Sequence, residues 1–482
     1  MSRPGYNFNL CKRLQLNTLS YYFSISFEEI CNYVYPWKNR WVSELMRISY
    51  IVRKVSHWAS DLPVGGAWGR TVREYIQKNL RWLWFDGLFA SASDNIIINF
   101  ISLYILSLGA SEFQIGLMSS ISSFLAALML FFGAILAERV GHHKEIVVLF
   151  GGLIGRLCIL MLVFVPILFP GVSVVWIAIA FSVLRDGFNN LAYPAWMSVI
   201  NETIPIEGRG RYFGSRNFVM GIAGMITTLA AGKIITLFVH QTGYQIVLAA
   251  AFVLGLASSY SFFKLKTEPT IKRIGRKASL SIKAIPGLLK GHPQFVALML
   301  TAGLWNFAIN ISGPFFNVYM VQNLHFSASV VGLTAVATAL SGLLVLNGVG
   351  GLSDRLGPRK LQIFSMILIP LLPVMWIFAR EPWHVVLINI FGGTIWAAFN
   401  LTSFNLLLNS IPKDKVPSYS ALYQIMVTLS LALGAMLGSA LITRFGFFVL
   451  LIASAVVRVI ATILFARLVH EPVKEVIEVV ST

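Results

Sequence analysis

Residues 350–360 read GGLSDRLGPRK, and residues 133–144 read GAILAERVGHHK. Each stretch follows a long apolar run. Each then gives an acid, an arginine, any residue, a glycine and basic residues, in that order. The acids, Glu138 and Asp354, lie 216 positions apart. A chain that writes the same charged turn twice, at the same point after an apolar run, reads as two similar halves.

Composition says where those halves live. Of 482 residues, 56% are hydrophobic and only 12% charged, whereas a soluble domain carries about 25% charged residues. Phenylalanine alone fills 35 positions. Such a chain belongs in lipid, where backbone polar groups must be satisfied within helices or a closed barrel. The apolar runs are continuous rather than alternating, which selects helices. A crossing needs roughly 20 mostly apolar residues. Twelve such runs are expected, at about 83–106, 114–137, 145–167, 172–197, 212–235 and 245–263, then about 295–320, 327–351, 361–378, 383–408, 418–443 and 447–469. The ninth is the least regular, because it carries Pro370 and Pro373.

Charge orients the bundle. The segment 264–290 holds eight Lys/Arg and one Glu, and the other loops on that side all carry Lys or Arg. The opposite loops, GASE, PGVS, HQTG and NLHFSAS, are nearly bare. The positive-inside rule then predicts a multi-pass protein of the cell membrane with both termini cytoplasmic. The net charge of +18 is thereby assigned to topology and anionic lipid, and no nucleic-acid partner is needed. Cys11, Cys31 and Cys158 lack metal-ligand spacing, so neither a metal site nor a disulfide framework is expected. No cofactor motif and no catalytic set is visible. The domain plan read from these patterns is an extension over 1–80, a six-helix half over 81–264, a basic linker over 265–292, a second six-helix half over 293–470 and a tail over 471–482. Within the extension, Trp41, Leu45, Ile48, Val52 and Val55 follow a helical stripe that suits an interfacial helix.

The internal match extends beyond the opening motif. Tyr104 and Gly116 correspond to Tyr319 and Gly332. Glu138, Arg139 and Gly141 correspond to Asp354, Arg355 and Gly357. The ETIP ending at Pro205 corresponds to the NSIP ending at Pro412. Two halves of like orientation joined by a basic linker resemble the major facilitator superfamily, whose halves rock about a midplane site. Its loop between second and third helices reads approximately G-x-L-A-D-R-x-G-R-K. Leu136, Ala137, Glu138, Arg139 and Gly141 fit that pattern in the first copy. In the second, Gly350, Leu352, Asp354, Arg355, Gly357, Arg359 and Lys360 fit, with Pro358 inserted. The resemblance covers about residues 82–470. It implies an all-α fold of twelve membrane helices in two repeats and a monomeric secondary transporter of a small solute. As a physical reading, the charged turns could latch the two halves in one conformation and release in another.

Ionisable groups inside the spans are costly and mark pathways or partners. Asp94, Arg156, Arg185 and Asp186 lie near mid-depth in the first half, and Arg458 is the lone charge at that depth in the second. The four in the first half are the coupling candidates, with Asp94 and Arg185 expected as partners and Asp186 as the rival acid. Amides extend the polar lining. Ser91, Asn95 and Asn99 share a helical face, as do Asn306 and Asn310, and Asn95 matches Asn310 in the repeat. The resemblance adds Asn189, Asn190, Tyr193, Trp396 and Asn400 as cavity residues. The family's R-x-x-x-G signature is not met, since Arg185 is followed by Gly187, so proton coupling and passive facilitation stand as alternatives. A transporter-like sensor or scaffold without flux is the other function class that this sequence allows.

Overall fold

The computed structural model describes residues 60–169, 171, 173–238, 241–267, 289, 291–411 and 416–470. The suggested interfacial stripe, Cys11, Cys31, most of the basic linker and the tail lie outside them. Asp61–Thr482 form one compact unit, and among the described residues there is no strand. The first half contributes α1 (Glu74–Ser107), α2 (Glu112–Val140), α3 (His143–Leu168), α4 (Ser173–Thr203), α5 (Arg209–Leu237) and α6 (Thr242–Phe263). The second contributes α7 (Pro293–Gln322), α8 (Ala328–Leu356), α9 (Pro358–Ile377), α10 (Pro382–Ser410) and a 53-residue helix, Val416–Leu468. That last helix loses helical geometry at Gly446, where φ is 75° and ψ −179°. We name its arms α11 (416–445) and α12 (447–468).

Local chemistry explains the ends. Ser111 caps α2 by accepting from the Gln114 amide at 3.3 Å, while the Gln114 side chain accepts from the Ser111 amide at 2.9 Å. That reciprocal pair satisfies two donors a helix start leaves open. The two motif glycines end α2 and α8. Gly141 has φ 70° and Gly357 has φ 85°, a region where a side chain is penalised and glycine is not. At the prolines of α9 the helix is interrupted, between Pro358–Leu368 and Leu371–Ile377, yet the two segments together still form one span.

Ten stretches are long and apolar enough to cross a membrane, with the last two arms taken together. The fourth helix is not among them, because it carries Arg185, Asp186, Asn189 and Asn190 rather than because it is short. Large apolar side chains such as Phe124, Ile226, Leu433 and Met436 are exposed, which suits a lipid solvent and would be costly in water. α1 begins at Glu74 rather than near residue 83, so it enters the bundle two turns earlier than its hydropathy suggested.

The halves meet along two seams, α2 with α11 and α5 with α8. Near the bare loops these seams are tight. Ser439 Oγ donates to the Phe113 carbonyl at 2.9 Å, Ser329 Oγ donates to the Gly232 carbonyl at 3.2 Å, and Thr236 and Ser329 hydroxyls lie 2.8 Å apart. A Cβ on Gly232 would sit 2.7 Å from the Ala328 carbonyl oxygen. Toward the basic-loop end, the space around Gly348, Gly350 and Gly351 of α8 is open. The bundle is sealed at the bare-loop end.

Candidate functional site

The expected mid-depth charges meet. Asp94 of α1 accepts from Arg185 of α4 at 2.6 Å and from Arg156 of α3 at 3.1 Å, both through one carboxylate oxygen. Arg185 also donates to Asp186 at 2.9 Å. Arg156 reaches Ser93 Oγ at 3.1 Å, and Ser93 in turn donates to the Ala251 carbonyl on α6 at 2.7 Å. Two acids and two bases thus close a neutral network across three helices. Gly255 makes room for it, since a Cβ there would lie 2.6 Å from Arg156 Cδ.

A second ion pair, absent from the sequence reading, lies on the same face of α1 two turns earlier. Asp86 is 6% exposed and accepts from Arg216 of α5 at 3.4 Å and from Ser258 of α6 at 2.8 Å. Arg216, 5% exposed, also donates to the Leu83 carbonyl at 3.2 Å and lies over the Trp196 ring at 5.7 Å. Asp86 was missed because the helix was started at residue 83, which left this acid at its mouth. The signal was present: Asp86, Ala90 and Asp94 recur every four residues. Residues 209–217 at the start of α5, RGRYFGSRN, also place side chains against α1. Tyr212 donates to the Leu80 carbonyl at 2.8 Å, and Ser215 to that of Leu62 at 2.5 Å, so it stitches α5 to α1 and to the turn before it.

Both ionic groups border one cavity of about 270 Å³ in the first half, which Asn189, Tyr193 and Trp196 also line. One wall is a π-helical stretch of α3, Val147–Ile154, just ahead of Arg156. Ser259 of α6 donates to the Gly152 carbonyl within it at 2.9 Å, supplying a partner where the backbone ladder is irregular. A separate cavity of about 420 Å³ is lined mainly by the second half, including Trp396 and Arg458, with Asn99 of α1 at its edge. Asn95 and Asn99 border a third space, of about 270 Å³, between α1, α5 and α8.

The remaining amides are engaged with backbone. Asn190 donates to the Asp186 carbonyl, Asn306 to that of Ala302, and Asn310 to that of Leu431 on α11 at 2.7 Å. Asn400 is exposed. None of these four borders the cavities just described.

Two basic residues that follow the motif glycines bond within their own halves. Lys144 donates to the Leu265 carbonyl just beyond α6 at 2.7 Å. Arg359 donates to the carbonyls of Ala466 and Val469 at the end of α12, at 2.7 and 2.5 Å. In each half the basic residue after the motif glycine therefore caps the sixth helix. Glu138, Arg139, Arg355 and Lys360 are exposed. Asp354 lies in the last turn of α8, and its side chain is outside the described structure.

Comparison with known proteins agrees with this architecture. The profile of the Major Facilitator Superfamily matches residues 83–426 and 298–480. The chain is 24% identical over 382 residues to the multi-drug resistance efflux pump PmrA of Streptococcus pneumoniae, covering 77% of this chain and 91% of that one. It is 23% identical over 384 residues to the multidrug resistance protein MdtG of Salmonella typhi, covering 77% and 90%. Among solved structures, it overlays on the nucleoside transporter NupG with a TM-score of 0.66 at 14% identity, covering 80% of this chain and 98% of that one. The D-xylose-proton symporter gives 0.63 at 13% identity, covering 83% and 99%. A helical membrane bundle in two repeats, matched by this profile along nearly all of its membrane region, belongs to the Major Facilitator Superfamily and is a multi-pass secondary transporter of small solutes.

Proposed function

We propose that the chain is a proton-coupled carrier of the cell membrane, a monomer with both termini in the cytoplasm, and that Asp94 is the group through which coupling is felt. It needs no cofactor and performs no covalent chemistry. The one-sided Lys/Arg loops support the orientation. In that orientation the sealed end faces outward and the bundle stands open to the cytoplasm. The observation that carries the coupling is the Asp94 network. One carboxylate, shared by Arg185 at 2.6 Å and Arg156 at 3.1 Å, borders a cavity in the first half. Proton uptake by Asp94 would remove the charge that holds both guanidiniums, and they would turn to Asp186 or to solute. A proton or a solute can therefore rearrange one set of bonds, as coupled exchange requires. The efflux relatives support export as the direction.

The test is transport by the purified chain in vesicles, with ethidium and fluorescein as cationic and anionic test solutes. Counterflow of either solute supports carriage, and accumulation that collapses with the pH gradient supports coupling. Solute binding without counterflow would instead make the protein a sensor. Uptake that never exceeds equilibration under any gradient would leave a passive facilitator.

A further inference from the structure

The two halves treat their buried charge differently. In the first half each mid-depth guanidinium has a carboxylate. In the second, Arg458 of α12 is 2% exposed, and among the described residues no Asp or Glu lies within ion-pair distance of it. Its Nη2 donates to two neutral acceptors, Ser312 Oγ at 3.1 Å and the Ile309 carbonyl at 3.4 Å, and its Nε has no partner. The repeat shows which residue stands beside this arginine in place of an acid. Asn95 corresponds to Asn310, so Asp94 corresponds to Ile309. The position that neutralises arginine in the first half is isoleucine in the second. The first and sixth helices of each half are still bonded, but with the donor on opposite sides: Ser93 of α1 donates to the Ala251 carbonyl on α6, and Ser454 of α12 donates to the Ala308 carbonyl on α7, both at 2.7 Å.

Arg458 borders the 420 Å³ cavity, a size that fits a small organic molecule. The amides beside it have already committed donors. Asn317 donates to the Asn99 carbonyl at 3.1 Å, and Asn389 donates to Val385 while accepting from Thr338. Phe316, Trp376 and Trp396 supply apolar, flat walls. A lone cation in a low-dielectric wall is costly until an anion arrives, and guanidinium suits carboxylate and phosphate oxygens. We propose that this cavity is the solute site and that Arg458 anchors an anionic group on a small aromatic or apolar body. This rests on the reading of the chain as a solute carrier. Its test measures binding without flux, so the two can fail separately.

The full-length purified protein is titrated with aromatic carboxylates, each against its own neutral amide: benzoate with benzamide, salicylate with salicylamide, and indole-3-acetate with indole-3-acetamide. Quenching of tryptophan emission reports occupancy. At least one acid is expected to bind about tenfold or more tighter than its amide, the scale of a charge-assisted bond. Arg458→Gln should bring that ratio to about one, and Arg458→Lys should retain part of it. If Arg458→Gln does not fold, Ile309→Asp tests the same point with the arginine in place. It should abolish the preference by restoring the missing carboxylate, whereas Ile309→Asn should keep it. Acids that bind no better than their amides to the wild type would overturn the proposal. So would a preference that survives both Arg458→Gln and Ile309→Asp. Phosphatidylglycerol that co-purifies with the wild type but not with Arg458→Gln would assign the arginine to a lipid phosphate and overturn the solute site.

Discussion

Asn317 of α7 donates its side-chain amide to the main-chain carbonyl of Asn99 on α1, at 3.1 Å. One bond thus ties the first helix of one half to the first helix of the other, at the sealed end. It belongs to the sealed conformation. A hydrogen bond contributes about 0.5–1.5 kcal/mol net, so Asn317→Leu should shift the balance of conformations by roughly two- to tenfold toward opening there. Pulsed electron resonance between spin labels at Glu112 and Phe326 would show the longer distance gaining population. Distance distributions that match the parent would remove this bond from the account.

Closure also needs Gly232. Its absent side chain lets α5 approach the Ala328 carbonyl, and backbone cannot swing aside as a flexible side chain could. Gly232→Val should keep the protein folded, hold the outer seam apart and stop most counterflow. A cysteine at Thr228, which is buried in that seam, should then react with a membrane-impermeant maleimide added at the bare-loop side. Unchanged protection of that cysteine would contradict the seam as described.

Asp94 and Asp186 should part company under load. Asp94→Asn removes a charge shared by two guanidiniums. We expect folding and counterflow to persist while accumulation against a gradient is lost. Among the described residues the Asp186 carboxylate is ion-paired only with Arg185, so Asp186→Asn should reduce accumulation less. The opposite ranking would transfer coupling to Asp186, and normal accumulation by both variants would end the carboxylate hypothesis.

Arg216→Gln leaves Asp86 buried without its cation. Breaking such a pair costs about 3–5 kcal/mol, so the thermal midpoint in detergent should fall sharply. The double variant Asp86→Asn, Arg216→Gln should recover much of that loss. Additive losses in the double variant would mean that the two side chains are not energetically linked.

Arg359 is predicted to matter for stability before it matters for motion. Arg359→Ala removes donors from the end of α12 and should cost about 0.5–2 kcal/mol, a loss typical of helix termini. Thermal unfolding measures it. Slowed exchange with an unchanged midpoint would favour a latch between halves instead.

The fold was legible because lipid leaves few options: long apolar runs, one-sided basic loops and a twice-written turn each constrain it separately. The Asp94 group was legible for a related reason, since charge in a span has to be compensated. The junction of α11 and α12 was less so. A loop was expected around Arg444, but Gly446 turns the chain with a single residue, and hydropathy does not register backbone angles. Asp86 was lost to the helix start. The helix-capping role of Lys144 and Arg359 was not legible at all, because it depends on which distant carbonyls the fold brings beside them.

The π-helical turns of α3 have a rotational consequence. A wider turn takes more residues to go round the axis than an α turn, so the stretch Val147–Ile154 fixes the angle at which everything beyond it points. Arg156 is the second residue beyond. Were the stretch to rewind as α-helix, that side chain would swivel around the helix axis and leave Asp94. Ser259, by holding the Gly152 carbonyl, therefore sets a compass bearing for a guanidinium it never touches, and Ser259→Ala should loosen that bearing without altering a single charge.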